Sequence, residues 1–175
     1  EDYVETLRLA PVLKENRDYT VRLANGKERI LWKPNRSIIR PSATTPTAGH
    51  GKTLDLACID EAFAHTDLRA DQSFGPPMLT RPEAQTWITS TAGTWESVFF
   101  NAKRAAGRRV VEAGEELSRR FAYFEWSAED DADLWDREVW WKTHPALGYT
   151  ITEEDLAVEI QKMLDDPDLG EAEAR

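Results

Sequence analysis

The stretch TLDLACIDEAF, Thr53 to Phe63, limits what this 175-residue chain can fold into. A run of Leu, Ala, Cys and Ile bounded by polar residues has the length and composition of a short buried strand. A strand buried on both faces belongs to a parallel sheet covered by helices. The run ends in two adjacent carboxylates, Asp60 and Glu61. Acids at the carboxyl end of such a strand stand where open α/β sheets bind their ligands. The plainer alternative is a strand that leaves through an acidic turn, and the neighbouring segments bear on the choice.

Composition sets the frame. The length suits one domain, and 41% hydrophobic residues with seven Trp can build a core. No apolar run approaches the roughly 18 residues that span a bilayer, and the amino-terminal residues lack a signal-peptide pattern. The single Cys58 excludes an internal disulfide and a cysteine-rich metal site, and fits a reducing compartment. His50, His65 and His144 are scattered and do not suggest a histidine metal centre. The net charge of −10 is uneven: residues 125–175 hold 16 of the 32 acids and 4 of the 22 bases, a net of −12. The body of the chain is near neutral, so overall acidity does not exclude nucleic acid as a partner.

Along the chain, residues 2–10 suit a helix stopped near Pro11. YTVRL and RILW flank Asn25-Gly26 and predict a hairpin. SIIRPS, from Ser37, suits a further short strand that Pro41 breaks into a loop. Thr53–Asp60 is the strand already described. Residues 64–82 read as loop and short helix interrupted by Pro76-Pro77. Gln85–Thr91, QTWITST, is a second core strand; a helix runs from Ser97 through Gly107 towards Leu117; and FAYFEW, Phe121 to Trp126, is a third strand. Helices follow over 136–143 and 153–164, the second opened by a candidate capping box of Thr152 with Asp155. Trp87, Trp126, Trp140 and Trp141 are expected in the core. Strands separated by helices indicate α/β layers.

GHGKT, Gly49 to Thr53, invites comparison with a phosphate-binding loop. The full signature needs a glycine where this chain has Pro46. Such a loop must also open a helix, so that amide groups face the phosphates, whereas Lys52-Thr53 leads into a strand. The segment therefore reads as a loop. The carboxylate pair matches the Walker B arrangement, in which the Asp holds Mg²⁺ and the Glu acts on the attacking water. STAGT, Ser90 to Thr94, then ends the next strand, where hydroxyls can bond a catalytic acid or a phosphate and Ala-Gly permits a sharp turn. The two motifs, in this order, favour an ATPase whose P-loop would precede Glu1; the missing initiator Met and charged last residues fit a fragment.

The chain resembles the large terminase subunit of tailed bacteriophages, of the actinophage or prophage type. The resemblance rests on SATTPTAGHGKTLDLACIDEAFAHTD, MLTRPEAQTWITSTAGTWES, FAYFEWSAEDDADLWD and THPALGYTITEEDL. It implies an α/β fold: part of a P-loop NTPase core of the ASCE type, a mostly parallel sheet with flanking helices and no P-loop segment. Residues 1–126 would be the C-terminal part of the ATPase core, and 127–175 a helical acidic segment leading to a nuclease domain outside the chain. It further implies ATP and Mg²⁺ as cofactors, both needing the missing P-loop for tight binding. The implied partners are double-stranded DNA, portal protein, small terminase subunit and further copies in a ring, with no membrane, in the bacterial host cytoplasm. Asp60 would be the Mg²⁺ ligand, Glu61 the catalytic carboxylate, and Ser90, Thr91, Ala92 and Gly93 the coupling motif. The isolated chain would be inactive or nearly so.

Other side chains carry less. Arg81, Arg36 and Arg40 are candidates for an arginine finger, expected in loops near the catalytic edge. Lys103, Arg104, Arg108 and Arg109, with Arg119 and Arg120 beyond them, are candidate DNA contacts or a solvated helix face. Glu129, Asp130, Asp131 and Asp133 read as a solvated loop and are given no nuclease role. Two alternatives stay open: another DNA-stimulated helicase or translocase ATPase, and a non-enzymatic prophage remnant or interaction module.

Overall fold

The computed structural model describes residues 2–43, 45, 53–114 and 120–165. The chain forms two compact units, Glu1–Ala48 and Gly49–Arg175. The boundary expected between residues 126 and 127 falls inside the second.

The first unit opens with helix α1, Asp2–Leu9, which ends two residues before Pro11 as predicted. Strands β1, Tyr19–Arg22, and β2, Arg29–Trp32, pair antiparallel, and β3, Ile38–Ile39, adds to β2 antiparallel. The β1–β2 connection contains Gly26 at φ 70, a left-handed position that glycine adopts without a Cβ clash. The β2–β3 turn is closed by Trp32 N donating to Ser37 O at 2.8 Å and Ser37 N to Asn35 Oδ1 at 3.0 Å. Among the described residues, Val4 and Tyr19 are its buried apolar side chains.

The second unit is built on two parallel strands, β4, Leu56–Ile59, and β5, Gln85–Ile88, in the register Leu56↔Gln85 to Ile59↔Ile88. Parallel strands need a crossover, here a short 3-10 helix, Ala62–Ala64, followed by α2, Arg69–Met78. Pro76 and Pro77 lie in the last turn of α2 and do not break it. Helix α3, Val98–Ala113, follows β5 and ends at Gly114, φ 78. Ile59, Ala62, Ala70 and Phe99 form one buried cluster, flanked by Phe74, Ile88 and Phe100. Helices α4, Arg137–Thr143, and α5, Glu153–Asp165, enclose a second, of Trp140, Leu147 and Ile160. The capping box at α5 is present: Thr152 Oγ1 donates to Asp155 Oδ2 at 2.6 Å, and Asp155 N to Thr152 Oγ1 at 3.2 Å.

Several expectations are corrected. The sheet is not mostly parallel: among the described residues the parallel part is two strands, and the other three strands are antiparallel. β4 is buried on one face only. Ala57 and Ile59 are inside, whereas Leu56 and Cys58 are exposed, because its alternate side chains point to opposite faces and the helical cluster covers one of them. β5 is likewise largely exposed. FAYFEW is not a strand, because no described strand offers its backbone a ladder. It is held by side chains instead: Tyr123 lies where a Cβ on Gly107 would sit, and Glu125 pairs with Arg108. Trp140 is core, but Trp87, Trp126 and Trp141 are more than half exposed. GHGK and Arg119 lie outside the described residues. No described helix is long and apolar enough to cross a membrane.

Candidate active site

Because β4 and β5 run parallel, their carboxyl ends lie side by side. Ile59 pairs with Ile88, and the next residues along are Asp60 and Thr89. Thr89 Oγ1 donates to Asp60 Oδ1 at 2.5 Å, and Glu61 N donates to the same oxygen at 3.0 Å. The threonine hydroxyl first, and then the amide, hold the Asp60 carboxyl below its ordinary value by favouring the charged form. Backbone bonds fix the same edge: Thr89 N donates to Ile59 O at 2.9 Å, and Ala62 N to Thr89 O at 3.1 Å.

Glu61 occupies the left-handed region, φ 51 and ψ 48. That conformation costs a non-glycine residue about 1–3 kcal/mol and persists only where the surroundings over-determine it. Here they do. Asp60 is bonded before it, and after it Ala62 is completely buried and Phe63 N donates to Ser90 Oγ at 3.0 Å. The result is an exposed glutamate held at the mouth of a parallel strand pair, beside an ionised aspartate.

The turn after β5 locks onto this loop. Gly93 is buried, and a Cβ there would meet Ser97 Oγ at 2.4 Å and Phe63 Cβ at 3.0 Å. The buried Ser97 Oγ accepts from Thr94 N at 3.0 Å, and Asn101 Nδ2 donates to Thr94 O at 2.8 Å. The turn is therefore tied to the start of α3.

Of the residues singled out from sequence, Asp60, Glu61, Ser90 and Gly93 come together. Thr91 and Ala92 are exposed, and the Thr91 hydroxyl makes no hydrogen bond among the described residues. Thr89 is the residue that sequence reasoning missed. Parallel register was the available signal: once Asp60 ends one strand, the residue beside it ends the next. Asp60 Oδ2 makes no hydrogen bond among the described residues and is free to face a cation. No described group of three or more His, Cys, Asp or Glu could form a metal cage. Mg²⁺ needs none, since one or two carboxylates suffice when substrate phosphates complete its octahedron. The site fits that ion.

Arg81 is not near the carboxyl edge. It precedes β5, so in a parallel pair it lies beside the residues that precede β4. There it pairs with Asp55 at 3.3 Å and donates to Thr53 Oγ1 at 3.0 Å. Arg36 and Arg40 belong to the first unit. On α3, Lys103 pairs with Asp71 at 2.7 Å over the Phe99 ring, and Arg104 lies over the Phe100 ring. Arg108 makes two bonds to Glu125, at 2.6 and 3.0 Å. That guanidinium is the main reason the Glu125 carboxyl is lowered to about 2. Burial, and then the bond to Glu125, raise Tyr123 to about 12. Arg109 is exposed and makes no ion pair among the described residues. Lys103 and Arg108, candidates for DNA contact or for a solvated helix face, thus each pair with a carboxylate of the chain.

The fold class is mixed α/β with a small parallel sheet. No protein-family profile and no curated protein match the chain. Among solved structures it is similar to the crystal structure of the HK97 bacteriophage large terminase, with a TM-score of 0.70 over 89% of this chain at 17% identity. The match spans 33% of that protein. The chain therefore has a terminase-like fold and corresponds to about a third of the structure it matches.

Proposed function

We propose that this chain is part of an ATP-driven motor that translocates double-stranded DNA, of the phage terminase type, with its catalytic carboxylates at Asp60 and Glu61. The observation that carries the reading is the Thr89-bonded Asp60 followed by a left-handed Glu61, both at the carboxyl end of a parallel strand pair. The terminase-like fold supports it.

Asp60, held ionised, would bind Mg²⁺ through its free oxygen. The bound ion would neutralise charge on the nucleotide phosphates. Glu61 would orient the attacking water, and its rigid backbone would keep it in place before nucleotide arrives. Ser90 holds the loop that carries Glu61, so a change at the phosphate would reach β5 and the start of α3 through Ser90 and Gly93. No P-loop signature occurs in the sequence, so the phosphate cradle would come from chain outside these residues. On the same reading, portal protein, small terminase subunit and a ring of further copies are the partners.

The test is ATP turnover, with and without duplex DNA, in a protein that joins this chain to a phosphate-binding segment. Glu61→Gln should lower turnover by about 10²–10⁴-fold, the range associated with positioned acid–base groups, and Asp60→Asn should lower it by weakening the hold on Mg²⁺. Unchanged turnover in both variants would overturn the assignment.

A further inference from the structure

The first unit carries an unusual arrangement of charge. Arg22 on β1 stands directly opposite Arg29 on β2. The β2–β3 register pairs Ile30 with Ile39 and Leu31 with Ile38. Continued by one residue, it puts Arg40 opposite Arg29 on the other side. Directly opposed residues in antiparallel strands share a face, so three arginines form one row across the sheet. All three are exposed, and none makes a hydrogen bond or ion pair among the described residues.

Nearby acids are engaged elsewhere. Glu15 pairs with Arg8 at 3.1 Å and Asp18 with Arg17 at 2.6 Å. Glu28, next to Arg29 in sequence, is turned back to accept from Gly26 N at 3.0 Å. The adjacent row on the arginine face, Thr20, Leu31 and Ile38, contains no acid. Like charges directly opposite one another destabilise a sheet. Three in a row without a carboxylate suit an anion that arrives from outside.

We infer that Arg22, Arg29 and Arg40 form a seat for the phosphate backbone of double-stranded DNA. Strands lie about 4.8 Å apart, so the row is about 10 Å wide. That length of duplex axis holds about three phosphates of one strand. Guanidinium groups bind phosphate oxygens in a two-pronged geometry. Contacts from arginine to phosphate position DNA without selecting sequence. This inference deepens the proposed function, in which duplex DNA is what the motor moves. Binding needs neither ATP nor the Asp60-Glu61 edge, so the two readings fail separately.

The test measures binding of the full chain to a labelled mixed-sequence duplex by fluorescence anisotropy across a salt series. Each phosphate contact contributes about 0.9 to the slope of log affinity against log salt. The triple change Arg22→Gln, Arg29→Gln and Arg40→Gln should flatten that slope by about 2 to 3, equally for two unrelated sequences. The corresponding triple change to Lys should keep most of it. The urea midpoint of the Gln variant should equal or exceed that of the parent chain, since repulsion is relieved, which separates lost binding from unfolding. An unchanged slope, or no duplex binding by the parent chain, overturns the inference. So does inorganic phosphate bound as tightly as the duplex, which marks a small-anion site. So does loss of self-association in the Gln variant with DNA binding intact, which marks a seat for an acidic protein surface.

Discussion

Two Thr–Asp pairs in the second unit share the same chemistry and do different work. At the start of α5, Thr152 Oγ1 donates to Asp155 at 2.6 Å; at the end of the parallel strands, Thr89 Oγ1 donates to Asp60 at 2.5 Å. In both, the hydroxyl is the main reason the carboxyl lies below its ordinary value. The first pair is reciprocal and local, since Asp155 N donates back to Thr152 and the loop closes within one helical turn. The second joins residues 29 apart on two strands. A local pair only starts a helix. A pair across two strand ends fixes an ionised group relative to a second element, which a site for a charged ligand requires. The clusters beneath differ in the same sense. Around Trp140, Leu147 and Ile160, the polar links cap or bridge two successive helices, as in Trp141 Nε1 to Glu153 at 2.7 Å. Around Ile59, Ala62, Ala70 and Phe99, they converge on one exposed edge.

The largest effects should come from removing the aromatic residue at the centre of each cluster. Trp140→Ala and Phe99→Ala should each cost about 3–5 kcal/mol in urea unfolding, the usual range for burying and then deleting such a ring. They should differ at the site. The Phe99 ring meets the His65 ring edge-on, so its loss should disturb the loop after Glu61. An NMR titration of the Asp60 carboxyl should move in Phe99→Ala and stay put in Trp140→Ala. Equal movement in both would show that the clusters are not independent and would break the comparison.

A smaller effect should separate packing at the edge from packing elsewhere. Gly93→Ala forces Ser97 or Phe63 to shift, and overpacking of this kind costs about 1–3 kcal/mol. Gly75, inside α2, has nothing but its chain neighbours around an added Cβ. It precedes Pro76, whose Cδ crowds a Cβ on a helical residue before it, so the helix-propensity gain of about 0.5–1 kcal/mol is offset and Gly75→Ala should be near neutral. The difference between the two urea midpoints checks this. Equal midpoints would mean that the turn after β5 is not tied to the loop that carries Glu61.

The two regions were also unequally legible in the sequence. The α5 capping box, the β1–β2 hairpin and the strand ending in Asp60 follow from local patterns, which short segments carry by themselves. Thr89 needed the strand register, a relation between distant segments that no window of sequence contains. The same limit misplaced Arg81, whose end of the sheet is set by the parallel direction of β5. FAYFEW failed for a related reason. Its β-prone aromatics describe a residue preference, whereas a strand also needs a neighbour, and Phe124 and Trp126 stack on each other in the open instead. The left-handed backbone of Glu61 had no signal either, since glutamate is not a residue that favours it.

The smallest change in stability, and the sharpest discrimination, should come from the two threonines. Thr152→Ala removes a helix cap and should cost about 1 kcal/mol in urea unfolding. Thr89→Val keeps the shape of the side chain and removes only the hydroxyl, so the fold should hold while Asp60 titrates closer to its ordinary 3.8. The sign of the pH effect is the same at both sites. A carboxyl lowered by folding contributes stability that is present above its unfolded value, near 3.8, and lost as pH falls through the lower folded value. Each variant should therefore lose stability relative to the parent chain above about pH 4 and converge with it in stronger acid, apart from the pH-independent cost of the cap. The distinguishing measurement is ATP turnover in the longer protein. Thr152→Ala should leave it unchanged, whereas Thr89→Val should lower it by freeing Asp60 to turn. If both variants kept full turnover, the Thr89 bond would be one more strand-end cap, no different in kind from the one at α5.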